Sequence, residues 1–278
     1  MLNNKISVNM KTILDEMNSL DESQILPTML EEAKQLRQFL YDCKKPFLIE
    51  VCGNIGFGKT TVAEIIANQT GMNLLLESDD DFLLKQYYDD MSKYSERLQT
   101  HLISQRLYSR VIHQLKNPSQ SLICDRSPYE DTLVFSEALT EYNLLSKESL
   151  NYVYWYFENE VKQLKLKYSN QKIIPDLLIC VHGGLEVGWN RVIQRKREME
   201  VRNDAKVGRG LTKDFYSSLH KKYDSLVPRL QELNWYTGPI LFLDQNQLHI
   251  SDAKLTKGWL YIVKSLHESL KILAEENK

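Results

Sequence analysis

From Pro46 onward, short unbroken apolar runs alternate with longer stretches in which apolar residues recur every three or four positions. The runs are "FLIEVC" (47–52), "NLLLE" (73–77), "SLICD" (121–125), "DLLICV" (176–181) and "ILFLD" (240–244). None alternates apolar with polar, as a strand wetted on one face would, so each reads as a strand buried on both faces. With helical patterns as crossovers, the sequence predicts an α/β fold, a five-stranded parallel sheet with helices on both faces. Ligands of such sheets bind at the carboxyl ends of the strands. Before Pro46 the pattern is helical only. Thr28-Met29-Leu30-Glu31 reads as a capping box that opens an amphipathic run to about Tyr41, and Lys44-Lys45-Pro46 closes it. The chain thus divides into a helical N-terminal extension, 1–45, and a main domain, 46–278, whose last helix runs from Lys254 to Glu276.

Composition changes this picture little. The 278 residues suffice for one large α/β core with an appendage. A formal charge of -2 gives no electrostatic footprint for a nucleic acid polymer. No apolar run approaches the ~18 residues of a membrane span, and the N-terminus has no apolar signal core, so a cytoplasmic protein with no membrane partner is expected. Cys52, Cys124 and Cys180 lie in apolar runs and, like Cys43, read as free thiols, not as a metal clip.

The first strand runs into "GNIGFGKTT" (53–61), where Gly53, Gly58, Lys59 and Thr60 fit G-x-x-x-x-G-K-[ST] between a strand and a helix predicted over Thr60 to Gln69. Glycines at 53, 56 and 58 let the backbone of Asn54, Ile55, Phe57 and their neighbours wrap so that N–H groups and the helix N-terminus face a phosphate. Lys59 adds a point charge, and the hydroxyl of Thr60, followed by Thr61, is placed to ligate Mg²⁺. The turn therefore reads as a nucleoside triphosphate site, with ATP and Mg²⁺ the expected cofactors.

This loop and four further stretches, "ESDDDFLLKQYYDDMSKYSERLQTHLISQR", "ICDRSPYEDTLVF", "PDLLICVHGGLEVGWNRVIQRKREME" and "GPILFLDQNQ", occur in an order that resembles the deoxyribonucleoside kinases. That family contains deoxycytidine, deoxyguanosine and deoxyadenosine kinases and the insect multisubstrate enzyme. The resemblance spans about Phe47 to Asn246 and implies the P-loop kinase fold with an arginine-rich lid at about 191–212. It also implies a role in nucleotide salvage, and a homodimer by analogy with the family.

The residues support the resemblance one by one. Glu77, at the end of a strand beside the phosphate loop, can accept the proton of an attacking hydroxyl, and the resemblance makes it the base for a 5'-hydroxyl. Gln99 and Arg106 are two helical turns apart and share a face. The resemblance assigns base reading to Gln99 and a 3'-hydroxyl contact to Tyr88, which joins that face only if one helix runs through Asp89-Asp90. The strand "SLICD" delivers Asp125, an acid able to hold Mg²⁺ through water, and Arg126, able to bridge the hydroxyl or the transferring phosphoryl. Asp131 and Phe135 match the family positions that pair with Arg106 and stack on the base. A buried Arg106–Asp131 pair must be satisfied by an amino or carbonyl group and leaves no room for thymine's methyl, so deoxypurines or deoxycytidine are expected over thymidine. Arg191, Arg195 and Arg197 can close over the phosphates, and Glu200 matches an acid that reaches the 3'-hydroxyl.

Two departures stand out. Ser78-Asp79-Asp80-Asp81 replaces the proline and apolar residue that usually follow the base, and "VRNDAKVGRG" (201–210) is inserted in the lid. Two other readings remain open here: another P-loop small-molecule kinase, such as a nucleoside monophosphate kinase, and a non-catalytic relative serving as an assembly subunit.

Overall fold

A computed structural model describes residues 10–43, 45–77, 81–195, 211–248 and 257–276. The five apolar runs form β1 (Leu48–Gly53), β2 (Asn73–Leu75), β3 (Leu122–Asp125), β4 (Leu177–His182) and β5 (Ile240–Asp244), all parallel in the order β2-β3-β1-β4-β5. The chain leaves β1 toward one edge and later crosses to the other, so the carboxyl end of β1 lies at the switch point of the sheet. Register brings Val51 level with Asp125 on β3 and Ile179 on β4.

The helices are α1 (Met10–Asn18), α2 (Glu22–Asp42), α3 (Lys59–Thr70), α4 (Asp81–Asp89), α5 (Met91–Lys116), α6 (Ser136–Glu141), α7 (Lys147–Lys167), α8 (Leu185–Arg195), α9 (Lys213–Glu232), α10 (Gln245–Leu248) and α11 (Lys257–Glu276), with a π-helical turn over Glu130–Phe135. They cover both faces. Cys52, Leu178 and Cys180 point into a core shared with α5, α7, α9 and the π-helical turn. Ile49, Val51, Ile179, Val181, Leu241 and Leu243 point into the opposite core, built with α1, α2, α3 and α11. The N-terminal helices thus form part of the layer over the sheet: Met29, Ala33 and Leu36 are buried, and α2 packs on α11 and α3. Among the described residues no helix is long and apolar enough to cross a membrane.

Two local expectations, the first and third below, need correction, and one condition left open by the sequence is not met. The second helix begins at Glu22, ahead of Thr28, because Asp21 and Gln24 form an earlier cap in which the Asp21 N–H donates to Gln24 Oε1 at 2.9 Å. Pro27 is carried inside that helix, where burial of Ile25 and Met29 outweighs the main-chain bond it removes. Second, the helix carrying Tyr88 does not run on to Gln99. Asp90 breaks it with φ -149° and ψ 85°, and its Oδ1 caps α5 by accepting from the Lys93 N–H at 3.1 Å. Third, β2 ends at Leu75, so Glu77 stands two residues past the strand and owes its place to its partners.

Candidate active site

The phosphate loop leaves β1 with a backbone only glycine tolerates. Gly53 has φ 148°, and a Cβ there would lie 2.3 Å from the Val181 carbonyl oxygen. Gly56 has φ 84°, with the Gly188 carbonyl oxygen 2.6 Å from such a Cβ. The loop is held from below: Asn54 Oδ1 accepts from the Ile55 N–H at 2.8 Å, and Tyr216 of α9 donates its hydroxyl to the Ile55 carbonyl at 2.8 Å. Gly58, at φ 80°, opens α3 without a side-chain cap, so the first N–H groups of that helix are left for a ligand. Lys59 Nζ folds back on the Asn54 carbonyl at 3.0 Å. Burial, and then the charge of Arg126, lower its pKa to about 8.

Beside the loop, Thr60 Oγ1 donates to Asp125 Oδ2 at 2.6 Å, while Asp125 Oδ1 is buried with no hydrogen-bond partner among the described residues. Two hard oxygens with one acceptor to spare suit Mg²⁺, which takes one or two protein ligands and completes its shell with water and substrate phosphates. No set of three or more His, Cys, Asp or Glu able to hold a metal occurs among the described residues.

Four charged side chains meet next to this pair. Arg106 Nη2 donates to Glu77 Oε1 at 2.6 Å and Arg126 Nε to Glu77 Oε2 at 2.9 Å, so the carboxylate is held between two guanidiniums. Burial alone would raise the pKa of Glu77, but Arg126 and Arg106 outweigh it and hold the carboxyl well below the usual carboxylate range. Arg106 Nη1 also donates to Asp131 Oδ2 at 2.8 Å, which is the pair read from the sequence. Burial pushes the Asp131 carboxyl up in spite of that guanidinium. The Arg126 guanidinium lies 5.7 Å from the ring centre of Phe135, the last residue of the π-helical turn, so the turn aims both Asp131 and Phe135 at the cluster. Gln99 is 2% exposed, and its Oε1 has no partner among the described residues. An orphaned buried acceptor is costly unless a ligand satisfies it.

Tyr88 is half-buried on α4, its ring centre 5.1 Å from that of Tyr87. Arg191 and Arg195 both lie on α8, and Arg191 Nη1 donates to Gln245 Oε1 at 2.7 Å. Arg197, Glu200 and the segment 201–210 lie outside the described residues.

Sequence reasoning missed Glu130. This fully buried acid accepts from the Gly53 N–H at 3.2 Å, the Ser127 N–H at 2.9 Å and the Tyr223 hydroxyl at 2.6 Å, and lies 3.6 Å from Arg126. It fastens the mouth of the phosphate loop to the strand end that carries Arg126. Its place two residues after Pro128 marks the opening of a helical turn, but not where its carboxylate goes.

Comparison with known proteins agrees with this geometry. The deoxynucleoside kinase family profile matches residues 49–261. A deoxyadenosine/deoxycytidine kinase of Bacillus subtilis is 27% identical over 184 residues, covering 66% of this chain and 77% of that one. A deoxyadenosine kinase of Lactobacillus acidophilus is 30% identical over 179 residues, covering 64% and 78%. The solved structure of deoxyadenosine kinase from M. mycoides with bound dCTP shares the fold, with a TM-score of 0.54 at 20% identity over 83% of this chain and 98% of that one. With a family match over most of its length and a sheet that ends in a phosphate loop beside a carboxylate–arginine cluster, the chain belongs to the deoxynucleoside kinase family.

Proposed function

We propose that the protein transfers the γ-phosphoryl group of ATP to the 5'-hydroxyl of a deoxynucleoside, with deoxyadenosine, deoxyguanosine or deoxycytidine preferred over thymidine. The observation that carries the reading is Glu77, gripped by Arg106 and Arg126 within the cluster that includes Asp131. A monophosphate kinase must neutralise a phosphate on its acceptor. Here Arg106, on the acceptor side, is already matched to both Glu77 and Asp131, which suits a neutral alcohol.

In this reading the N–H groups of residues 54–60, Lys59 and Arg126 surround the polyphosphate, and Arg191, Arg195 and Arg197 spread the charge that builds on the transferring group. Thr60 and Asp125 would hold Mg²⁺, which, when bound, neutralises charge on the phosphate oxygens. Glu77 takes the hydroxyl proton. A carboxylate paired to two arginines is a weak base, which suits a loose transition state in which the proton leaves the nucleophile late. Gln99 offers its unsatisfied amide oxygen to a base edge, Phe135 stacks on the base, and Tyr88 and Glu200 hold the 3'-hydroxyl. Arg106 and Asp131, already paired, admit a base with an amino or carbonyl group beside them and reject a methyl.

The direct test is product identification. ATP, Mg²⁺ and at least one of deoxyadenosine, deoxyguanosine and deoxycytidine should yield a 5'-phosphomonoester by phosphorus NMR, and the same deoxynucleoside lacking its 5'-hydroxyl should yield none. Phosphate release without a nucleoside monophosphate would remove the proposal.

A further inference from the structure

The strand that feeds the phosphate loop carries an acid in its middle. Glu50 lies at the centre of β1, fully buried, with Ile49 and Val51 on either side. Its two oxygens are taken separately: Oε1 accepts from Arg110 Nη1, and Oε2 accepts from Ser127 Oγ at 2.5 Å. Arg110 is buried as deeply, and it also donates Nη1 to the Ile173 carbonyl at 3.1 Å and Nε to the Arg106 carbonyl at 3.2 Å. One turn further along α5, Gln114 exchanges bonds of 2.9 Å with the backbone of Lys172. The acid and its arginine therefore tie three pieces together: the phosphate-loop strand, the helix that bears Gln99 and Arg106, and the segment that follows β3.

The third piece is under strain. Arg126 has φ 86°, the left-handed region that a residue with a Cβ avoids at a cost of about 1–2 kcal/mol. Such a conformation persists only where its surroundings over-determine it. Three bonds do so here: the Arg126 N–H to the Val51 carbonyl at 3.0 Å, the Ser127 N–H to Glu130 Oε2 at 2.9 Å, and the Ser127 hydroxyl to Glu50. Replacing a buried ion pair by apolar residues of similar volume is often neutral or stabilising, so stability alone does not explain why this pair is present.

We propose that Glu50 and Arg110 are positioning residues for phosphoryl transfer, holding Arg126 through Ser127 and Arg106 through α5. Neither residue touches a substrate in this account. They fix two guanidiniums relative to the loop that presents the phosphate, where a misplacement of about 1 Å costs on the order of 100-fold in rate. The proposal rests on the kinase reading above.

The test separates stability from turnover. Glu50→Leu/Arg110→Met removes the pair without leaving an unpaired charge, so its melting temperature should equal or exceed that of the wild type. Its kcat should fall about 10- to 100-fold, with KM for ATP and for the deoxynucleoside changed far less. Ser127→Ala should lower kcat in the same sense, and Ser127→Thr, which keeps the hydroxyl, should restore most of it. Should the double variant not fold, the Ser127 pair decides alone. A folded double variant with unchanged kcat, or Ser127→Ala indistinguishable from Ser127→Thr, overturns the proposal while leaving the kinase reading intact. A wild-type protein that phosphorylates no deoxynucleoside removes both.

Discussion

Lys59 shows how far one residue's chemistry follows from its place. Its ammonium is buried and donates to the Asn54 carbonyl; burial, and then the charge of Arg126, outweigh the nearby carboxylates, so its pKa falls to about 8 before any ligand arrives. A bound polyphosphate favours the charged form and raises that pKa, so the complex holds more protons than the free protein. ATP affinity should therefore be full below pH 8 and weaken as pH rises above it, by up to about tenfold per unit. Calorimetric titrations at pH 7, 8 and 9 check this, and the slope should vanish in Lys59→Arg. Lys59→Ala and Arg126→Ala should each reduce kcat by at least about 10²- to 10³-fold with the fold retained by circular dichroism. Near-normal rates in either would contradict the assigned roles. Lys59 was legible because its motif fixes backbone, helix and charge together. Glu130 was not, since nothing local to "SPYED" shows that its carboxylate turns back to the Gly53 amide.

At the scale of elements, all five strands appear close to where the runs lie, but burial on both faces holds only for β1, β3 and β4; the edge strand β2 is half-buried and β5 exposes Phe242, because an edge strand has a neighbour on one side only. The exception inside a run carried information as well. Glu50 in "FLIEVC" required a buried cation, but the sequence could not say that Arg110, sixty positions away, supplies it. Helix ends were read less well. The Asp90 cap splits what the pattern of Tyr88 and Gln99 needed as one helix, so the two residues sit on separate helices, α4 and α5, that pack on each other. The Arg106–Asp131 contact joins α5 to the π-helical turn, and the selection proposed for it is testable at this scale. Arg106→Met with Asp131→Ala removes both charges at once and opens space, so thymidine should become a substrate in a competition assay of paired nucleosides. An unchanged substrate ranking would show that the pair does not set specificity.

Among the described residues, two neighbouring helices leave large apolar side chains exposed side by side. Tyr108, Ile112 and Leu115 form a stripe on α5, and Tyr152 and Trp155, stacked at 5.6 Å, stand exposed on α7, the helix packed beside it. The homodimer that the family resemblance implies would have an apolar face to close on here. Light scattering should show a dimer for the wild type and a monomer for Ile112→Asp/Trp155→Asp, and an unchanged mass would place the contact elsewhere. The N-terminal helices read in sequence as an amphipathic extension, of the kind that most often packs on its own domain or on a twin subunit. Their burial of Met29, Ala33 and Leu36 against the layer over the sheet is a tertiary fact that local pattern does not encode.

The measurement that bears most directly on the central claim is a coupled ATP-consumption assay with Mg²⁺, run in parallel on deoxyadenosine, deoxyguanosine, deoxycytidine and thymidine. Turnover with at least one of the first three and none with thymidine is the predicted result. Silence with all four while ATP still binds, or thymidine as the preferred acceptor, would contradict the account.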